Sequence, residues 1–271
     1  MNKKDEENKL VKKLTKKQLD ILFLVFCFRF VNVNVLADYY DQKYPGSIRR
    51  LLEVLRRCNY LDRNFNALYK LEHRPAEYFA TTKAIPLLRK NFPQLSVLEL
   101  HQLYNRSSAS TRFIARSLAI FKISNLFEHL YGDRLSFTTK PLLNIEKFDY
   151  FPKPLPDAFI TLDSDKLGEH HFFAEYFDDG VSIGIHSRKI VNYMKYKESG
   201  EWNDTGLDFP AVIIICQSPA LLKQAEKRVR YLERQELSGI AFRMISMDEL
   251  EGLDGSNMIY ADPIEQIETN L

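Results

Sequence analysis

The stretch Ser47-Ile-Arg-Arg-Leu-Leu-Glu-Val-Leu-Arg-Arg-Cys58 decides how the chain is read. Ile48, Leu51, Leu52, Leu55 and Cys58 recur at i, i+3, i+4, i+7 and i+10, which places them on one face of a helix. Arg49, Arg50, Arg56 and Arg57 fall on the other face, with Glu53 as the single acid. Ser47 is a good N-cap, because its hydroxyl can accept an orphan amide of the first turn. A helix is therefore predicted over 48–58, one side packed and the other strongly cationic.

On the N-terminal side, Thr15-Lys-Lys-Gln18 fits a capping box. It opens a helix expected from Lys16 to about Phe30, apolar nearly all round and so deeply buried. Asn32 and Asn34 break that helix, and a second is expected from Val35 to Lys43 before the turn Tyr44-Pro-Gly46. On the C-terminal side, Tyr60-Leu-Asp-Arg63 and Ala67-Leu-Tyr-Lys-Leu71 flank a polar turn, Asn64-Phe-Asn66, and read as a short hairpin. Tyr78 to Thr82 gives a third extended segment and Lys83 to Asn91 a further helix. Three helices, the third basic, followed by a hairpin, is the order of a winged helix-turn-helix. A helix of that kind fits the major groove, where Arg makes bidentate contacts to guanine or charge-assisted ones to phosphate. Residues of the hairpin can straddle the backbone. The expected DNA-binding set is Ser47, Arg49, Arg50, Arg56, Arg57, Arg63, Lys70 and Arg74.

Charge distribution points the same way. Residues 1–100 hold 19 Lys and Arg against 11 Asp and Glu, a net +8, whereas the remainder carries 19 against 25, a net −6. Such asymmetry suits a nucleic-acid module joined to something else. The expected organisation of the 271 residues is a charged tail over 1–14, the winged helix over 15–95, connecting helices over 96–133 and an α/β unit over 134–271. Val97 to Tyr104 reads as helical and 105–110 as a loop. Thr111 can cap a long helix from Arg112 to Tyr131 that Gly132 ends. That helix offers a surface for a homodimer, the expected assembly.

From Arg134 the pattern changes. Strands are expected at Leu135–Thr139, Pro156–Leu162, His171–Phe177, Ala211–Cys216 and Ala241–Ser246, and helices at Ser187–Lys197 and Ala220–Glu236. The continuous run Ala211-Val-Ile-Ile-Ile-Cys216 marks a strand buried on both faces. Helices alternating with buried strands argue an α/β sandwich with a mixed sheet, so the class of the whole chain is α+β or α/β.

Pro156-Asp-Ala158, Phe173-Ala-Glu175, Lys189 with Tyr193, and the apolar strand followed by Arg228 resemble the replication-relaxation family of plasmids and integrative conjugative elements. The resemblance spans Leu14 to Ile245. It implies a winged helix joined to a degenerate restriction-endonuclease-like domain, and a role in plasmid replication, relaxation, conjugative transfer or its transcription, alongside replication or conjugation proteins. Two departures stand out. Phe177 sits where members commonly carry a second acid, and Ala84 replaces a glycine after the wing.

Endonucleases of that fold place an Asp on one strand and Glu-x-Lys on the next, so that two carboxylates hold magnesium and the Lys stabilises developing charge. Were the chain a nuclease, Asp157, Glu175 and Lys189 would be catalytic, with Asp157 and Glu175 on the metal. Phe177 stands where that pattern needs a cation, so an inactive scaffold without cofactor is expected. Three readings remain open: a DNA-binding accessory or regulatory protein, a metal-dependent DNA endonuclease, and a protein-interaction module using its winged helix.

Several classes are excluded by pattern. Cys27, Cys58 and Cys216 lie far apart in apolar runs, with no zinc spacing, and suit a reducing cytoplasm. His101, His129, His170, His171 and His186 form no metal spacing. The apolar run Ile21–Phe28 is too short for a bilayer, which needs roughly 20 residues. Asp5, Glu6, Glu7 and Asp20 interrupt the basic start, unlike a signal peptide. No glycine-rich phosphate loop or nucleophile elbow occurs.

Overall fold

A computed structural model describes residues 14–93, 95, 100, 109–143, 150–164, 168–235 and 239–253. The charged tail over 1–13, the helix expected over Val97–Tyr104, most of the loop after it and His101 lie outside the described residues. Contacts divide the chain into two units, Met1–Asn125 and Leu126–Leu271. The division falls inside the helix expected to connect the halves.

In the first unit, helix α1 (Lys16–Phe28) opens with the expected capping box: Gln18 N donates to Thr15 Oγ1 at 3.3 Å, and Thr15 N donates to Gln18 Oε1 at 2.9 Å. The chain leaves α1 at Phe28, two residues earlier than expected, through Arg29 at φ 69°. Strand β1 (Val31–Asn32) and helix α2 (Val33–Tyr39) follow. Asn32 caps α2, accepting from Asn34 N and Val35 N at 3.0 Å each. An asparagine read as a breaker thus starts the next helix, a preference that arises because its carboxamide mimics a backbone acceptor.

Helix α3 spans Gly46–Arg57. Ser47 is not its N-cap. Pro45, at φ −74°, takes that place without a side-chain bond, and Ser47 Oγ donates instead to Gln42 Oε1 at 3.2 Å. Proline presets a near-helical φ, so the helix begins two residues earlier than the serine suggested. Ile48, Leu52 and Leu55 of α3 are fully buried with Ile21, Leu22, Val25, Phe26 and Leu36.

Strand β2 (Leu61–Asn64) is followed not by a second strand but by the short helix α4 (Ala67–Leu71). Asn66 accepts from Leu68 N at 3.0 Å and Tyr69 N at 3.2 Å, and this cap, backed by Ala, Leu and Lys as good helix formers, overrides the extended pattern. The true partner of β2 is β3 (Glu77–Ala80), paired antiparallel with Leu61 opposite Ala80 and Arg63 opposite Tyr78. Strand β1 pairs on the other side of β3, so the sheet order is β1-β3-β2. Helix α5 (Ile85–Asn91) comes next, after a turn of 3-10 helix over Thr82–Ala84. Helix α6 runs from Thr111 to Tyr131; within the first unit its Phe121 ring stacks on Phe28 at 4.1 Å.

The second unit is built on a five-stranded mixed sheet in the order β4-β5-β6-β7-β8. Strands β4 (Leu135–Thr139), β5 (Ala158–Ser164) and β6 (Gly168–Phe177) are antiparallel neighbours, and a short helix α7 (Lys140–Leu143) follows β4. Strands β7 (Ala211–Cys216) and β8 (Phe242–Ser246) continue parallel to β6, as helical crossovers require. Those crossovers are α8 (Ile183–Ser199) and α9 (Pro219–Gln235); α10 (Met247–Gly252) closes the described chain. Phe173, Phe177, Val212, Ile214 and Cys216 pack with Ile190, Met194, Ala225 and Val229 from the crossovers. On the opposite face, Phe127, Leu130 and Tyr131 line a 30 Å³ cavity with Ile160, Phe172, Ile213 and Ile245. Covered on both faces, β7 carries its unbroken apolar run.

The three cysteines are buried thiols. Burial pushes the Cys216 thiol up to about 12, and that of Cys27 higher still despite Arg29 nearby. Among the described residues no helix is long and apolar enough to cross a membrane.

Candidate nucleic-acid interface

Because α3 commits its apolar face to the core, the rest of the helix is held outward. Arg49, Arg50 and Arg57 are exposed, and no ion pair joins them to another described residue. Arg56 and the arginines from β2 to β3 are differently placed. Glu53, one turn along α3, holds Arg56 Nη2 at 3.1 Å and Arg63 Nη1 of β2 at 2.8 Å, and accepts from the Tyr78 hydroxyl of β3 at 3.3 Å. Partial burial works to raise the Glu53 carboxyl, but the two guanidiniums and the hydroxyl outweigh it and hold the group below its ordinary value.

A second acid does the same work at the start of β3. Glu77 is 4% exposed. It accepts from the Tyr69 hydroxyl at 2.6 Å and from Arg74 Nη2 at 3.0 Å, while Arg74 Nη1 also meets Glu72 at 3.2 Å. Burial first, then the bond to Glu77, pushes the Tyr69 hydroxyl up to about 12, so it stays a donor. Between α3 and the β2–α4–β3 segment lies an open cleft of 670 Å³, lined by Asn34, Arg49, Arg63, Lys70, His73 and Tyr78 among others.

Of the expected DNA-binding set, then, Arg49, Arg50, Arg57 and Lys70 project from the unit, while Arg56, Arg63 and Arg74 are tied to acids. The role of Glu53 and Glu77 escaped the sequence, because pairs such as Arg63 with Glu53, ten residues apart, depend on tertiary placement.

In the second unit the structure brings Asp157, Glu175 and Lys189 together. Asp157 Oδ2 accepts from Tyr176 N at 2.9 Å and lies 3.8 Å from Lys189 Nζ. Lys189 of α8 donates to Glu175 Oε2, and the Tyr193 hydroxyl donates to Glu175 Oε1 at 2.9 Å. Burial, reinforced by Glu175, raises Tyr193 well above the ordinary phenol value, so it too remains a donor. Pro152 and Pro154 line a small recess of 10 Å³ together with Glu175, Lys189 and Asn192. That is the room needed by about one water. A divalent ion with its waters and a phosphodiester do not fit this arrangement, and Lys189 already supplies the cation between the two carboxylates.

Phe177 is fully buried and stacks on His186 at 4.1 Å, so the position two beyond Glu175 is core. His171 lies 3.3 Å from the Thr161 hydroxyl and is lowered by burial, with Glu169 opposing; His170 is its neighbour on the strand. Among the described residues no group of three or more His, Cys, Asp or Glu is placed to hold a metal.

No family model, curated protein or solved structure matches the chain.

Two outcomes are expected. Unfolded, Glu53 titrates near 4.5; folded, it titrates lower, so its contribution to stability is complete above 4.5 and is lost as the pH falls through the lowered value. Denaturation of Glu53→Gln followed across acid pH is expected to show a shallower acid limb than the wild type; identical limbs would contradict the clamp. Lys189→Ala leaves Glu175 buried without its cation, which is expected to cost about 3 kcal/mol in urea unfolding.

Proposed function

We propose that the chain binds double-stranded DNA through its first unit, as a winged-helix protein with α3 as the recognition element. The observation that carries this reading is the set of exposed arginines, Arg49, Arg50 and Arg57, on a helix whose other face is locked in the core. The element order α1-β1-α2-α3-β2-α4-β3, with α4 inserted in the connection between the last two strands, and the sheet order β1-β3-β2 support the winged-helix assignment. The biological setting follows the resemblance to the replication-relaxation family: an accessory or regulatory role in a mobile genetic element, acting as a cytoplasmic homodimer on paired half-sites. The second unit, whose antiparallel strands lead into parallel ones through α8, suits the degenerate restriction-endonuclease-like domain of that resemblance, with the Lys189 cluster as a structural clamp.

The alternative, a magnesium-dependent DNA nuclease, rests on the same three residues, Asp157, Glu175 and Lys189, and requires Lys189 to withdraw from the two carboxylates before a metal could take its place. One assay separates the two: electrophoretic retardation and integrity of duplex DNA, with and without magnesium. Retention without nicking supports the first reading. Nicking that is lost in Glu175→Ala supports the second. Within the binding reading, Arg50→Ala is expected to cost about 1–3 kcal/mol on a cognate sequence. Arg57, nearer the phosphates, acts differently. Arg57→Ala is expected to weaken all duplexes alike and to reduce the slope of log affinity against log salt by about one. Unchanged affinity in a protein lacking all three exposed arginines would overturn the reading.

A further inference from the structure

Charge in the second unit is sorted by place. Residues 126–271 hold 15 Lys and Arg against 25 Asp and Glu, a net −10. Helices α8 and α9 carry nine of those cations and three of those acids, a net +6. The rest of the unit holds 6 against 22, a net −16. Both helices cover the same face of the sheet, where Ile190, Met194, Ala225 and Val229 enter one core. A strongly acidic unit thus has one cationic layer.

Within that layer the cations of α9 are aligned. Lys223, Lys227, Arg230 and Arg234 are exposed and recur at i, i+4, i+7 and i+11. At 3.6 residues per turn they share a sector of roughly 60° and form a straight run of about 16 Å. Glu226 and Glu233 lie to one side, half-buried, and Glu226 meets Arg230 at 3.7 Å. No ion pair joins Lys223, Lys227 or Arg234 to another described residue. On α8, Arg188 and Lys195 are exposed as well.

A solvated helix face ordinarily mixes signs, so that residues four apart attract. On α9 Lys223 is followed at that spacing by Lys227, and Arg230 by Arg234, so each pair repels. The helix bears a repulsion that an anionic partner would relieve.

The chemistry of the stripe selects that partner. Protein interfaces centre on aromatic and apolar side chains and are poor in Lys. The four residues of the stripe are all Lys or Arg. Nucleic-acid interfaces are strongly cationic, and a phosphate backbone sets a line of charges against a line of cations. With duplex DNA as the partner, a choice that rests on the DNA-binding reading of the first unit, we infer that the second unit makes its own contact with DNA, the α9 stripe lying along a phosphate backbone. Such a contact adds affinity and reads no sequence.

The test uses the full chain and a mixed-sequence duplex of about 40 bp, with affinity followed against salt. Lys223→Gln/Lys227→Gln/Arg234→Gln keeps good helix formers at exposed positions and relieves both repulsions, so it is expected to melt at or above the wild-type temperature. It should bind roughly tenfold more weakly at low salt and lower the slope of log affinity against log salt by about three, one for each lost phosphate contact. A charge-matched control, Arg134→Gln/Lys140→Gln/Lys153→Gln, removes three exposed cations outside the two helices and should keep the wild-type slope. Equal losses in both variants reduce the effect to net charge and overturn the stripe. An unchanged slope in the α9 variant overturns it too. So does a change in sedimentation alone, which assigns the stripe to contact between copies. Failure of the wild type to bind duplex overturns the stripe and the DNA-binding reading together. Binding that survives loss of Arg49, Arg50 and Arg57 but falls with the stripe overturns the first-unit reading and supports the stripe.

Discussion

The geometry of the first unit depends on the carboxylate of Glu53. It sits on α3, yet it faces the sheet, where it gathers Arg56, Arg63 and the Tyr78 hydroxyl. One acid therefore fixes the azimuth of α3 against both β2 and β3. An exposed ion pair contributes little, but a half-buried acid with three donors forms a network whose members restrain one another. Without it, the apolar face of α3 would still pack, while the rotation that sets the direction of Arg49, Arg50 and Arg57 would be less determined.

The same economy recurs in the second unit with the charges exchanged. There a lysine reaches from α8 to carboxylates at the start of β5 and within β6, and a tyrosine one turn further along α8 completes the shell of Glu175. The aromatic layer beneath, with Phe173 stacked near Tyr193 at 5.5 Å, leaves Glu175 no route to water on that side. A buried charge of this kind demands a partner fixed in place. Position 177 could not supply one while serving as core, so the cation comes from the helix.

What could be read from the sequence follows how local each feature is. The capping box at Thr15, the amphipathic spacing of α3 and the double-sided burial of β7 are written in neighbouring residues and survive in the structure. The convergence of Asp157 and Glu175 could be anticipated because consecutive strands pair. Where two local signals competed, the weaker-looking one prevailed: Asn66 turned an apparent strand into α4, and Pro45 took the cap from Ser47. The ties of Glu53 and Glu77, and the place of Pro152 and Pro154 beside Glu175, depend on the path of segments distant in sequence. No spacing rule reports that path.

The placement of the thiols has an experimental consequence. Cys27 and Cys58 lie in the first unit and Cys216 in the second, each buried, with the thiolate disfavoured at Cys27 and Cys216. A nucleophile that is both hidden and protonated reacts with alkylating reagents only when its surroundings open. The chain thus carries its own clock for local opening. Pulse alkylation resolved by peptide mass would time each unit separately, with no label introduced and no residue changed.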